Sequence, residues 1–183
     1  MSKKIVGDLD FNLISKILNL PDPTNLQDPA TKAYVDNLIQ RERVLTRLTN
    51  ASNTTLTNIT DLSFAVIAGV AYTFEAFLIY QSNNLANGMT VSIAGPAGIY
   101  VLKVALINAG NSTAQDFEGV IQAVNGTVVS TSVPVINSNL IAKIEGMIIP
   151  SANGTIIPQF RSEVNTNQTS IEIGSSARLI IHP

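Results

Sequence analysis

The sequence predicts a mainly β protein. An extended anchor and a short self-associating, coiled-coil-like helix lead into a C-terminal antiparallel β-sandwich of jelly-roll type. Three observations carry this. Many segments after Ala51 alternate apolar and polar residues with the strand period of two. Gly/Asn/Ser/Thr clusters separate them at short intervals. More than half of the ionisable residues lie before Ala51, so the chain changes character there. The predicted divisions are an anchor over residues 1–27, a helix over 28–50 and a sandwich over 51–183.

The first segment, "KIVGDLDFNLISKILNLPDP", places Ile5, Leu9, Phe11, Ile14, Ile17, Leu18 and Leu20 among polar residues. Their spacing fits neither a clean strand nor a clean helix. The segment is too apolar for a solvated tail and too short for its own core. It is expected to bury these side chains on a neighbouring copy or a partner; the alternative is packing back on its own domain.

Asp28-Pro29 is a helix-start signal. Asp28 accepts a hydrogen bond from an unpaired backbone N–H, and Pro29 suits the first helical position, where a missing donor costs nothing. The helix is expected to run from Pro29 to about Leu48. Leu38 and Leu45 lie seven apart, and Tyr34, Arg41 and Leu48 form a second line at heptad spacing. These five residues make the expected seam of a bundle of identical helices. The competing reading is an amphipathic helix lying on a sheet.

Strand candidates follow: "DLSFAVIA", "AYTFEAFLIYQ", "MTVSIAG", "GIYVLKVALIN", "DFEGVIQAV", "GTVVSTSV", "NLIAKIEGMIIP", "TIIPQFRSE", "TSIEIG" and "SARLIIHP". Tyr72, Phe74, Ala76, Leu78 and Tyr80 are expected on one face, with Thr73 and Glu75 on the other. Leu140, Ala142, Ile144 and Gly146 similarly oppose Ile141, Lys143 and Glu145. Strands of this number and spacing point to an antiparallel sandwich or barrel. The aromatic cluster Phe64, Tyr72, Phe74, Phe77 and Tyr80 is expected in the core or at a subunit contact.

Composition narrows function. Charged residues are 13% of the chain and the net charge is -2, with no basic block that would bind nucleic acid. Cysteine is absent, which excludes disulfides and thiolate metal sites, and the single histidine is His182. No cofactor and no metal is expected. No apolar run reaches the roughly 18 residues of a membrane span, and Asp8 and Asp10 interrupt the N-terminal stretch where a secretory signal would be apolar. The Asn-X-Ser/Thr triplets at Asn50, Asn53, Asn58, Asn111, Asn125, Asn153 and Asn167 read as consequences of an Asn/Thr-rich surface. No nucleotide, zinc-protease or serine-hydrolase motif is present. Asp116 and Glu118 are the one close acidic pair after Ala51; such a pair could begin a calcium site or serve a glycosidase, but solvated loop charges are the expected reading. Glu75 and Glu145 lie mid-strand, where they are buried carboxylates if they face inward and solubility charges if they face outward. No catalytic residue is assigned.

Residues 7–39, "GDLDFNLISKILNLPDPTNLQDPATKAYVDNLI", resemble a recurring segment of tailed-bacteriophage fibre and appendage proteins. There an extended "LDFNGNKITNL"-like piece runs through "DP" into a "QDAATKAYVD" helix. Leu13-Ile14-Ser15 departs from the usual glycine-containing turn, and Pro29 stands where Ala is common. The strand-rich remainder is similar, more loosely, to β domains of phage virion proteins. The resemblance implies a homotrimer on the virion surface, made in the host cytoplasm and anchored by its N-terminus to the major capsid protein or another structural protein. A head fibre or capsid decoration protein is the expected role. A short tail fibre contacting host-surface glycans is the alternative, and a polysaccharide-degrading enzyme ranks below both.

Overall fold

The computed structural model describes residues 38–107 and 116–182. The expected anchor residues Ile5, Leu9, Phe11, Ile14, Ile17 and Leu20, the cap Asp28-Pro29 and the seam residue Tyr34 lie outside them. The compact β unit begins at Leu38, upstream of the boundary expected at Ala51.

Thirteen strands occur among the described residues: β1 (Ile39–Arg43), β2 (Leu48–Asn50), β3 (Thr57–Asn58), β4 (Phe64–Val66), β5 (Ala71–Ser82), β6 (Met89–Ala94), β7 (Gly98–Ile107), β8 (Phe117–Ile121), β9 (Thr127–Val129), β10 (Leu140–Pro150), β11 (Gly154–Ser162), β12 (Thr169–Ile171) and β13 (Ser176–His182). One 3-10 turn covers Thr60–Leu62.

All pairings are antiparallel. An eight-stranded sheet runs β1-β13-β5-β10-β7-β8, with β12 joining β5 to β2. A five-stranded sheet runs β3-β11-β6-β9, with β4 on β11. The β-sandwich is therefore present, in two unequal layers rather than the eight strands expected of a jelly roll.

The core follows from alternation. Tyr72, Phe74, Ala76, Leu78 and Tyr80 of β5 are buried, as are Tyr100, Leu102, Val104 and Leu106 of β7. From the smaller sheet come Met89, Val91 and Ile93 of β6, and Ile156 and Phe160 of β11. The Phe64 and Phe74 rings meet edge-on at 5.9 Å and 80°, joining β4 to the larger sheet. Such a contact contributes about 1 kcal/mol beyond the area it buries. Of the five clustered aromatics, Phe77 departs: it falls on the outer face and is 46% exposed. Aromatic clustering in sequence did not separate the two faces; the strand period does.

The helix expected up to Leu48 is corrected where the structure describes it. Residues 39–43 and 48–50 are strands, paired with β13 and β12. Of the expected seam, Leu38 stands in a turn, Arg41 in β1, Leu45 in the β1–β2 connection and Leu48 in β2. Leu45 is 61% exposed, while its neighbour Val44, off the seam, is fully buried. The Val44 N–H donates to Ser175 O, and its carbonyl accepts from Gly174 N–H. Residues 40–43, "QRER", are good helix formers, but in β1 their backbone is bonded to β13, which outweighs a weak local preference.

One end of the sandwich is closed by polar groups. Asn87, fully buried, donates to the hydroxyls of Ser82 at 2.8 Å and Thr169 at 3.2 Å. Its carbonyl oxygen accepts from the Ser162 hydroxyl and the Val164 N–H, both at 2.8 Å. Ser82 and Thr169 belong to the larger sheet and Ser162 to the smaller, so one amide bridges the layers.

Candidate binding face on the eight-stranded sheet

The outward positions of the larger sheet form rows across the strands. Registry places Arg41 beside Arg178, Arg178 beside Glu75, Glu75 beside Glu145, and Glu145 beside Lys103. The next row reads Arg43, Ser176, Phe77, Lys143, Ala105 and Glu118. Glu75 and Glu145 thus face outward, not into the core. The Glu75 carboxylate accepts from Arg178 Nε at 3.0 Å and lies 2.7 Å from Nη2. Glu145 pairs with Lys143 on its own strand. Glu118 pairs with Lys103 across β7 and β8 at 3.1 Å, both side chains more than half exposed. That contact is of the weak, screened kind, and it occupies one member of the acidic pair singled out in sequence. His182 shares a hydrogen bond with Thr73 at 2.7 Å.

Near β1 the face is concave. A depression of about 320 Å³ is lined by Arg41, Glu42, Glu75, Phe77, Ser176 and Arg178, among others. A second, of about 520 Å³, is lined by Arg41, Glu42, Arg43, Leu45 and Ser176. Arg41 and Arg178 are directly opposite one another, an arrangement that repels across a strand pair. Arg178 is compensated by Glu75. Among the described residues, Arg41 and Arg43 have no carboxylate partner.

Towards β8 the same face carries exposed apolar residues among its charges. Ile141 and Met147 of β10, Ile99, Val101 and Ile107 of β7, and Val120 of β8 are exposed. Met147 lies opposite Val101, and Ile141 opposite Ile107; between the two apolar pairs run the rows of Glu145 with Lys103 and of Lys143 with Ala105.

No protein-family model matches the chain, and no curated protein does. Among solved structures, the VP2 subviral particle of infectious bursal disease virus is similar at 11% identity and a TM-score of 0.25, over 79% of this chain and 42% of that one. The structure of the Gt strain of the same virus gives 12% and 0.24, over 79% and 41%. The chain thus spans less than half the length of these proteins. Likeness at this level assigns neither family nor function.

The arginine cluster and the grouping of exposed apolar residues on this face are not visible in the sequence. Their members lie on strands far apart in the chain, and β1 did not read as a strand. The sequence places Arg41 on a helix seam; the structure puts it on β1, the edge strand of the larger sheet among the described residues.

Proposed function

We propose that this chain is a structural protein of a bacteriophage particle, a homotrimeric head fibre or capsid decoration protein whose β unit packs through the outer face of its larger sheet. The observation that carries the reading is the set of apolar side chains exposed on this face: Ile99, Val101, Ile107, Val120, Ile141 and Met147. An antiparallel sheet with one face in water ordinarily presents polar residues there. Exposed apolar groups next to charges mark an association surface; here Ile99, Val101 and Met147 lie on one side of the Glu145–Lys103 row and Ile107 and Ile141 on the other.

The kind of particle and the threefold state come from the fibre-like segment over residues 7–39. The reading assigns no catalytic activity. It is tested by solution mass and by electron microscopy of intact particles. A trimer, found at the capsid surface, is expected. A stable monomer, absent from purified particles, overturns it. A short tail fibre contacting host glycans is the second reading, and the concave arginine–phenylalanine end of the face favours it.

A further inference from the structure

We infer that the depression on β1, β13 and β5 binds an acidic saccharide, a uronate-type sugar whose carboxylate sits between Arg41 and Arg178. This deepens the second reading above by giving the sugar class and the residues, and it needs no particular attachment to the particle.

The site is a grid of outward positions. One row holds Arg41, Arg178 and Glu75; the next holds Arg43, Ser176 and Phe77. Each residue type has a use in sugar chemistry. Guanidinium groups bind carboxylates through paired, charge-assisted hydrogen bonds. Arg178 already gives part of its fork to Glu75, which holds it in place. Arg41 lies beside it and has no carboxylate partner among the described residues. The half-exposed Phe77 ring gives the apolar face of a sugar ring a surface to cover, as binding sites combine apolar walls with a few placed polar groups. The Ser176 hydroxyl and the free lone pairs of Glu75 and Glu42 suit sugar hydroxyls. Lys143 Nζ, 5.7 Å from the Phe77 ring centroid, extends the cationic border towards β10. A depression of about 320 Å³ is at the small end of ligand sites, fitting one or two sugar rings.

Charges on an edge strand also serve to repel strand addition, and Arg41, Glu42 and Arg43 do occupy an edge. That role needs neither concavity nor a half-exposed phenyl ring across two strands. Inorganic phosphate would use the arginines but gain nothing from Phe77.

The test uses the full-length protein. A glucuronate-containing oligosaccharide, a neutral glucose oligosaccharide of equal length and inorganic phosphate are titrated by calorimetry. Saturable binding of the glucuronate probe is expected, with the neutral probe at least about tenfold weaker, the size of one lost charge-assisted contact. Arg41→Gln and Phe77→Ala should each weaken it by about tenfold or more, with unchanged circular dichroism and oligomeric mass. Three results overturn the inference: no saturable binding of the glucuronate probe, equal binding of phosphate, or binding insensitive to both substitutions. None of them bears on whether the chain resides on a particle.

Discussion

The hydroxyl of Ser162 donates to the side-chain oxygen of Asn87 across the two layers of the sandwich, at 2.8 Å and fully buried. The same amide donates to Ser82 and Thr169, so its hydrogen-bonding capacity is used in full. A satisfied buried network of this kind holds one arrangement and penalises partial loss. Asn87→Leu removes the bridge and with it four hydrogen bonds, to the Ser82, Thr169 and Ser162 hydroxyls and the Val164 N–H. The expected cost is about 2–4 kcal/mol, summing more than one unsatisfied group. Equilibrium urea unfolding checks it. Ser162→Ala, which removes one donor and leaves the amide oxygen bonded to Val164 N–H, should cost about 1 kcal/mol.

Two glycines with positive φ separate backbone strain from steric contact. Gly69 (φ 76°) has open space where a Cβ would stand. At Gly146 (φ 152°) an added Cβ would lie 2.0 Å from the Val101 carbonyl oxygen, inside the β7–β10 ladder. Gly69→Ala should therefore cost about 1–2 kcal/mol through strain alone. Gly146→Ala should cost clearly more, since two central strands must part. The difference between their unfolding free energies is the measurement.

Burial pushes the Tyr80 phenol far above its ordinary value of 10.0; its hydrogen bond with Ser130 pulls the other way, and Asp116 adds a raising charge. Burial also raises Tyr100, whose hydroxyl donates to Pro96 O at 2.6 Å. In the unfolded chain both phenols ionise near pH 10. Above that pH the unfolded state binds fewer protons than the folded state, so stability falls as pH rises. It is fully present below pH 10 and is lost by up to about 1.4 kcal/mol per pH unit for each group above it. Urea midpoints between pH 8 and 11 should be flat at first and then decline, and Tyr80→Phe should shallow the decline.

Much of the sandwich was legible because alternation is a physical necessity for a strand with one buried face. Residues 71–80 and 140–149 read directly into β5 and β10, including the outward placement of Thr73 and Lys143. The edge was not legible. Leu38 and Leu45 are seven apart by position alone, and "QRER" suits a helix as well as an exposed strand. Only pairing with β13 decides, and β13 lies at the far end of the chain. The Asn87 bridge was likewise hidden: Asn87 sits in a turn signal, "NNLANG", while its partners Ser162 and Thr169 arrive from distant strands. Arg41 and Arg178 become neighbours only once that register is known.

The β1–β2 connection gives a direct test of strand against helix. A heptad seam requires Leu45 to be buried and leaves Val44 beside it. The fold reverses this. Val44→Ala is expected to cost about 2 kcal/mol, from lost burial and the cavity left behind. Leu45→Ala should stay within about 0.5 kcal/mol. If Leu45 instead proves the costlier position, the helical arrangement holds and the β1 pairing does not.

The outer face of the larger sheet is where assembly and folding can be separated experimentally. Val101 and Met147 lie opposite one another on β7 and β10, and both are about half exposed. Neither fills the core, so lysine at either position leaves the interior packing intact and keeps its own charge in water. Val101→Lys combined with Met147→Lys should leave the unfolding free energy of the isolated β unit, residues 38–183, within about 1 kcal/mol. In an assembly through this face, the same change buries two unpaired charges per copy, which costs several kcal/mol. If the native chain forms the trimer proposed above through this face, light scattering on the full-length protein should show that trimer falling to monomer. A trimer that survives the double substitution with unchanged mass places the contact between copies elsewhere and removes the apolar face from the assembly.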